Sequence, residues 1–174
     1  QYKQIIRASY LEFSFERARA CREQELLRRL PAMRDPGPQD DVCVLRDVSG
    51  RPRVLGLLTM RTVNSAGLYD ALGDEHLADY VRVRTAGRIC LLTGLYVSPA
   101  SGRNYDAGQL LLTEVLSRAM KEDCGYAVWH ASAPPETLDL LERQGFVLQE
   151  AGGQTPLLIV DMRSPVALMQ NITT

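Results

Sequence analysis

The chain has 174 residues, 45% of them hydrophobic and 24% charged, with a formal net charge of −1 and an isoelectric point near 6.2. That is enough apolar material for one core without disulfides or metal, and so balanced a charge excludes global attraction to nucleic acid or to acidic membranes. No apolar run is long enough to span a bilayer, and Cys21, Cys43, Cys90 and Cys124, scattered with no C-x-x-C pair, read as reduced core thiols of a cytoplasmic protein.

From the N-terminus, residues 1–30 read as helix-rich. Tyr10, Phe13, Ala20, Leu27 and Leu30 fall on one side, and the charge run from Arg17 to Glu23 forms a solvated face. Ile5-Ile6 alternatively marks the remnant of a first strand. Residues 31–41, with three prolines and a glycine, are a loop. Residues 42–45 and 54–60 then form a hairpin about the turn Asp47-Val48-Ser49-Gly50, with Gly56 marking a bulge or a close approach. An insertion covers 64–88, with Asp74 as N-cap of a helix over 75–83.

Residues 89–97 are a strand buried on both faces, stopped by Ser98-Pro99. After a polar loop, Gly108, Leu111, Leu112, Val115, Leu116 and Ala119 recur at helical spacing and define one apolar stripe. A strand feeding a helix through a short loop leaves the first helical amides unpaired at the positive end of the dipole, a place suited to phosphate. Residues 125–130 read as a strand parallel to 89–97, joined by a right-handed crossover. Pro134-Pro135 precedes a short helix to Gln144, residues 145–148 start a strand, and the tail 156–162 closes the sheet. The expectation is one domain over 1–174, with a helical N-terminal region and loop to residue 41 and a core over 42–162. Because the chain opens at Gln1 inside a charged segment, it reads as excised from a longer protein, with a neighbouring domain or a homodimer as candidate partners.

The segment around Leu95-Tyr96-Val97-Ser98-Pro99, followed by Arg103, Gly108 and Leu111-Leu112, resembles the acyl-CoA signature of the GCN5-related N-acetyltransferases. In that family an apolar-x-Val-x-Pro run leads through Arg or Gln and spaced glycines into a Leu-rich helix. The hairpin ahead of the strand, and the Leu-Glu-Arg-Gln-Gly-Phe segment ending at Phe146, are similar to the family too. The resemblance implies a mixed α/β fold with a central sheet flanked by helices, acetyl-CoA or another acyl-CoA as cosubstrate, and transfer to an amine on a small molecule or peptide. It also implies cofactor contacts from Leu95, Tyr96, Val97, Arg103, Asn104, Tyr105, Asp106, Ala107, Gly108 and Gln109. Asn104 and Asp106 replace glycines of the pattern. Both tolerate left-handed backbone angles, but a carboxylate facing a pyrophosphate repels it unless it turns away and caps the helix through the amide of Gly108 or Gln109. Leu141 stands where many members carry a tyrosine beside the cofactor sulfur, Pro134 where an asparagine often contacts the cofactor, and the insertion where members have a short turn.

Acyl transfer from a thioester needs an N–H to polarise the carbonyl, a neutral amine in line with it, and a route for the amine's proton. The resemblance implies that this N–H comes from the cofactor strand, by position between Leu95 and Val97. For proton handling the candidates are His130, which titrates near neutrality, then Tyr96, and Glu136. A packed His130 beside a core Trp129 is the competing reading. Tyr69, His76 and Tyr80 of the insertion either help choose the acceptor or belong to a surface embellishment. No metal-ligand spacing, nucleophile elbow or phosphate-binding Gly-Lys-Ser/Thr is present. Two functions remain open: a direct-transfer N-acyltransferase, and a catalytically reduced module that senses acyl-CoA or serves as a scaffold for protein contacts.

Overall fold

In the computed structural model, residues 10–30, 37–99, 106–150 and 153–163 are described. They build a seven-stranded sheet in the order β1-β2-β3-β4-β5-β7-β6, from Leu11–Arg17 (β1), Asp41–Asp47 (β2), Arg53–Val63 (β3), Arg88–Val97 (β4), Cys124–His130 (β5), Val147–Gln149 (β6) and Leu157–Asp161 (β7). Every neighbouring pair is antiparallel except β4 and β5, which run parallel. This is the mixed α/β architecture expected from the motifs. The tail strand β7 enters between β5 and β6, which leaves β6 at the edge.

The N-terminal region differs from the helix-rich expectation. Over 11–17 the side chains alternate, with Leu11, Phe13 and Phe15 packed against the main core while Ser14 and Glu16 bond to Arg46 of β2 from the other face. A period of two over seven residues makes a strand, and it overrides the sparse helical matches drawn from a longer window. Helix is confined to Gln24–Arg28 (α1), preceded by one 3₁₀ turn at Ala18–Ala20. The charge run therefore straddles a strand end and a tight turn, and the core begins at residue 11 instead of 42. Ile5 and Ile6 lie outside the described residues, as do residues 31–36 of the proline-rich loop.

The 64–88 insertion holds two helices, Gly67–Leu72 (α2) and Glu75–Arg84 (α3). Asp74 caps α3 as expected, its carboxylate accepting from the Leu77 N–H at 3.1 Å. The stripe helix is Ala107–Lys121 (α4), and Pro135–Arg143 is α5. Gly108, Leu111, Leu112, Val115, Leu116 and Ala119 are all buried, as their spacing requires. They pack with Leu140, Leu141 and Phe146 on one face of the sheet, over Leu58, Cys90, Leu92 and Trp129. On the other face α2 and α3 cover Ile89, Leu91, Val128 and Leu157, while α1 and the 3₁₀ turn cover Val42, Val44 and Leu57. Between these two groups the buried Arg61 guanidinium donates to Asp40 at 2.7 Å, tying the loop before β2 to β3.

All four cysteines are buried and free. Burial pushes the Cys21 and Cys43 thiols up to about 12 and raises those of Cys90 and Cys124. They are packing groups, as their scatter suggested.

Gly56 is where β3, β4 and α4 meet most closely. A bulge sits beside it, since Leu45 pairs with Gly56 and Arg46 with Val54. A Cβ built on Gly56 would lie 2.6 Å from the Tyr96 carbonyl oxygen and 2.9 Å from Leu111 Cδ1. Backbone cannot yield as a flexible side chain can, so Gly56→Ala is expected to destabilise by about 1–3 kcal/mol. Urea unfolding should show a lower midpoint at unchanged slope.

Candidate functional site: a fork between two parallel strands

The pairing of β4 with β5 runs from Arg88–Cys124 to Leu92–Trp129 and ends there. At the same level β4 changes register against β3: Met60 pairs with Leu92 but Thr59 with Gly94, leaving Thr93 as an extra residue. This bulge bends β4. Its far half, Thr93 to Val97, stays on β3 while β5 continues one residue to His130 and turns away, so the two strands form a fork.

The direction of the amides in the open arm follows from one hydrogen bond. The Ser98 N–H donates to the Leu55 carbonyl across β3 at 2.8 Å. In an antiparallel pair the N–H and C=O of a residue point the same way and alternate along the strand. Gly94 and Tyr96 therefore face β3, and the N–H groups of Leu95 and Val97 face the gap. Side chains alternate likewise: Leu95 packs with the α4 face, and Tyr96 packs against the cluster of Leu27 and Leu30 on the other.

Helix α4 starts at the end of this arm. A Cβ on Gly108 would lie 3.1 Å from Leu140 Cδ2 and 3.5 Å from Val97 Cγ2, so a glycine here lets the first turn seat against both β4 and α5. Asp106 is the N-cap. Its Oδ1 accepts from the Gln109 N–H at 3.0 Å, and its carbonyl accepts from Leu110 at 3.0 Å. Of the alternatives weighed for this residue, capping through Gln109 is the one found. The N–H groups of Ala107 and Gly108 have no partner within the helix. Arg103, Asn104 and Tyr105 lie outside the described residues.

Across the fork, Trp129 is buried on the α4 face with its indole N–H on the Ala131 carbonyl at 3.1 Å, and His130 points to the opposite face, half-buried beside its cross-strand partner Leu157. Burial holds the His130 imidazole below its usual value, against the opposing pull of the Asp74 carboxylate at the start of α3. Tyr96 and His130 thus share one face on the two sides of the fork, and neither side chain has a hydrogen-bond partner among the described residues. Glu136 lies in the first turn of α5 and is exposed. Leu141, at the position of the missing tyrosine, is 1% exposed and locked in the main core.

The insertion reaches the same corner. The Tyr80 hydroxyl donates to Gln149 Oε1 at 3.0 Å, and Gln149 pairs with Leu157, the partner of His130. The Tyr69 hydroxyl donates to Asp79, and Arg84 stacks 3.4 Å over the Tyr80 ring. Both hydroxyls hold the insertion together and to β6, while His76 is exposed.

Sequence reasoning missed the bulge at Thr93 and the group that meets it. Thr59 Oγ1 lies 2.8 Å from Thr93 Oγ1 and 3.3 Å from the Gly94 carbonyl oxygen. Two threonines inside apolar strands were the available signal.

No family model matches the chain, and no curated protein matches it by sequence. Solved structures do. NAA60 from Arabidopsis thaliana, in complex with acetyl-CoA, superposes with a TM-score of 0.63 at 15% identity, over 88% of this chain and 99% of that one. FeeM, an N-acyl amino acid synthase from uncultured soil microbes, gives 0.58 at 14% identity, over 91% and 98%. The polyamine N-acetyltransferase of Drosophila melanogaster gives 0.55 at 12% identity, over 86% and 100%. At such identities the likeness is one of fold: this chain has the GCN5-related N-acetyltransferase fold in a divergent sequence.

The His130 imidazole gives a direct check on the site. Its folded-state pKa is depressed, so the folded chain binds fewer protons than the unfolded one near the ordinary histidine value. The imidazole proton signals are expected to titrate with a midpoint below 6.5. The stability associated with the neutral ring should be whole above that pH and decline as pH falls through the folded value. His130→Gln should flatten that part of the pH–stability curve.

Proposed function

We propose that the protein is an acyl-CoA-dependent N-acyltransferase that moves an acetyl group from acetyl-CoA to an amine, on a small molecule or peptide, by direct transfer. The observation that carries this reading is the fork itself, with two N–H groups facing it that have no partner among the described residues and a helix N-terminus at its end. The residues present fit the cosubstrate. Ala107 and Gly108 offer N–H groups to a pyrophosphate, joined in the proposal by Arg103, Asn104 and Tyr105 and by the side-chain amide of Gln109, whose own N–H is held by Asp106, and Gly108 leaves room for close approach. Asp106 is spent as the cap, which keeps its carboxylate at the mouth and weakens phosphate binding without abolishing it.

In the reaction, acetyl-CoA supplies the activated carbonyl. The Leu95 N–H, with Val97 next to it, holds the negative charge that develops on the carbonyl oxygen. The amine nitrogen forms the new C–N bond as the C–S bond breaks. His130, kept neutral by burial, takes the proton the amine sheds, and Tyr96 donates one to the leaving thiolate. Both stand on the face opposite α4, so in this reading the amine arrives from the side of Tyr96 and His130.

A second reading is favoured by one observation. Leu141 is buried and cannot donate a proton, which suits a catalytically reduced module that senses acyl-CoA or serves as a scaffold for protein contacts.

Acetyl-CoA should raise the melting temperature, and more so for Asp106→Asn, which keeps the cap and removes the charge. The expected gain is about two- to fivefold in affinity, shrinking with added salt. No shift at millimolar acetyl-CoA would refute the enzyme and the sensor and select the scaffold, and a shift without thioester consumption over an amine panel would select the sensor.

For the enzyme, the acid limb of kcat/KM should fall below pH 6.5, as the lowered His130 value requires. His130→Gln should remove that limb and slow turnover by about a hundredfold. An unchanged profile would exclude His130 as the base.

A further inference from the structure

We infer that the buried Thr59 hydroxyl is a positioning group that fixes the opening of the fork, an inference that rests on the acyl-transfer reading above. Thr59 is 1% exposed, on the β3 strand that β4 never leaves, opposite the residue where β4 changes register. A polar atom this deep needs a partner, and it has two, both on the bulge. Its oxygen lies 2.8 Å from Thr93 Oγ1 and 3.3 Å from the Gly94 carbonyl oxygen. One hydroxyl can satisfy both contacts, accepting from Thr93 while donating to Gly94.

The bonds span the extra residue. If they are removed, the bulge can slide, because no other hydrogen bond among the described residues ties the Thr93 side chain. A slip of one residue reverses which amides face the gap. The N–H groups of Leu95 and Val97 would then lose their aim at the carbonyl oxygen, while the helix N-terminus that holds the rest of the cosubstrate would stay in place. Leu30 and Gly94 make the lock tight. A Cβ on Gly94 would sit 3.2 Å from Thr59 Oγ1 and 3.3 Å from Leu30 Cδ1, so α1's trailing residue presses on the same spot from above. Thr59 touches no reactant and acts only through β4.

The test compares Thr59→Val, which keeps shape and loses the hydroxyl, with Thr59→Ser, which keeps the hydroxyl. Thr59→Val should lower kcat by at least about tenfold with KM for acetyl-CoA within about twofold. Thr59→Ser should restore kcat to within about twofold of the parent. In the free protein, amide exchange at Gly94 and Tyr96 should quicken by about tenfold in Thr59→Val and not in Thr59→Ser. Thr93→Val removes the pair from its half-exposed side and should reproduce both effects should Thr59→Val fail to fold.

Unchanged exchange in the valine variants, or a Thr59→Ser variant as impaired as Thr59→Val, would overturn the inference. If the parent protein turns over no amine and binds no acetyl-CoA, the acyl-transfer reading has failed instead, and the exchange data alone decide whether the hydroxyl holds the bulge.

Discussion

The extra residue at Thr93 gives β4 two different neighbourhoods in one strand. Below it, β4 pairs with both β3 and β5; above it, only β3 remains, and one row of backbone donors is left facing a gap. A backbone donor cut off from both partner and water costs about 1–3 kcal/mol, and along this arm the half-buried Leu95 comes nearer to that condition than the exposed Val97. A fold keeps such a feature where something else holds the strand in place. Here that hold comes from β3, through the Thr59 hydroxyl, and from α4, whose Leu111 reaches the backbone beside Gly56.

The two faces of the sheet divide the labour. The α4 and α5 side is predominantly apolar, and its glycines at 56 and 108 bring helix and strand within contact distance, so packing aims the helix N-terminus. The other side is broken into two smaller clusters with a buried Arg61–Asp40 pair between them. Such an ion pair contributes little net stability but is expensive to break, and it ties the segment before β2 to the strand carrying Thr59. Polar and titratable groups near the fork, His130, Tyr96 and Asp74, all belong to this second side. In the proposed reaction an elongated thioester and a separate amine would need opposite approaches to one point, and this asymmetry is suited to that arrangement.

Much of this was legible in the residues. The stripe from Gly108 to Ala119, the hairpin, the Asp74 cap and the parallel strand after the crossover follow from periodicity and capping chemistry, because each is decided within a dozen residues. The first strand is masked in the sequence because the apolar residues between Tyr10 and Leu30 also match a helical spacing, although they span a strand, a turn and a five-residue helix. The local alternation of Leu11, Phe13 and Phe15 was the stronger signal. The fork was not legible at all. It depends on a one-residue register change between strands 34 positions apart in Thr59 and Thr93, and no periodicity within either strand encodes that. Asp106 lies between these cases: its residue type allowed either a cap or a clash, and only its bond to Gln109 decides.

The thiols narrow the chemistry further. An acyl group can pass through an enzyme nucleophile only if that nucleophile is ionised or paired with a base, and accessible. All four cysteines are buried, and their thiols are raised above the ordinary value, so none is a thiolate near neutrality. Of the hydroxyls at the fork, Thr93 is bonded to Thr59 with no base beside it, and Tyr96 lies on the strand that offers the polarising amides. Among the described residues no group at the gap is equipped to carry the acyl group covalently. The proposed acyl transfer is therefore a direct one from sulfur to nitrogen, which would place the catalytic demand on how well β4 is held.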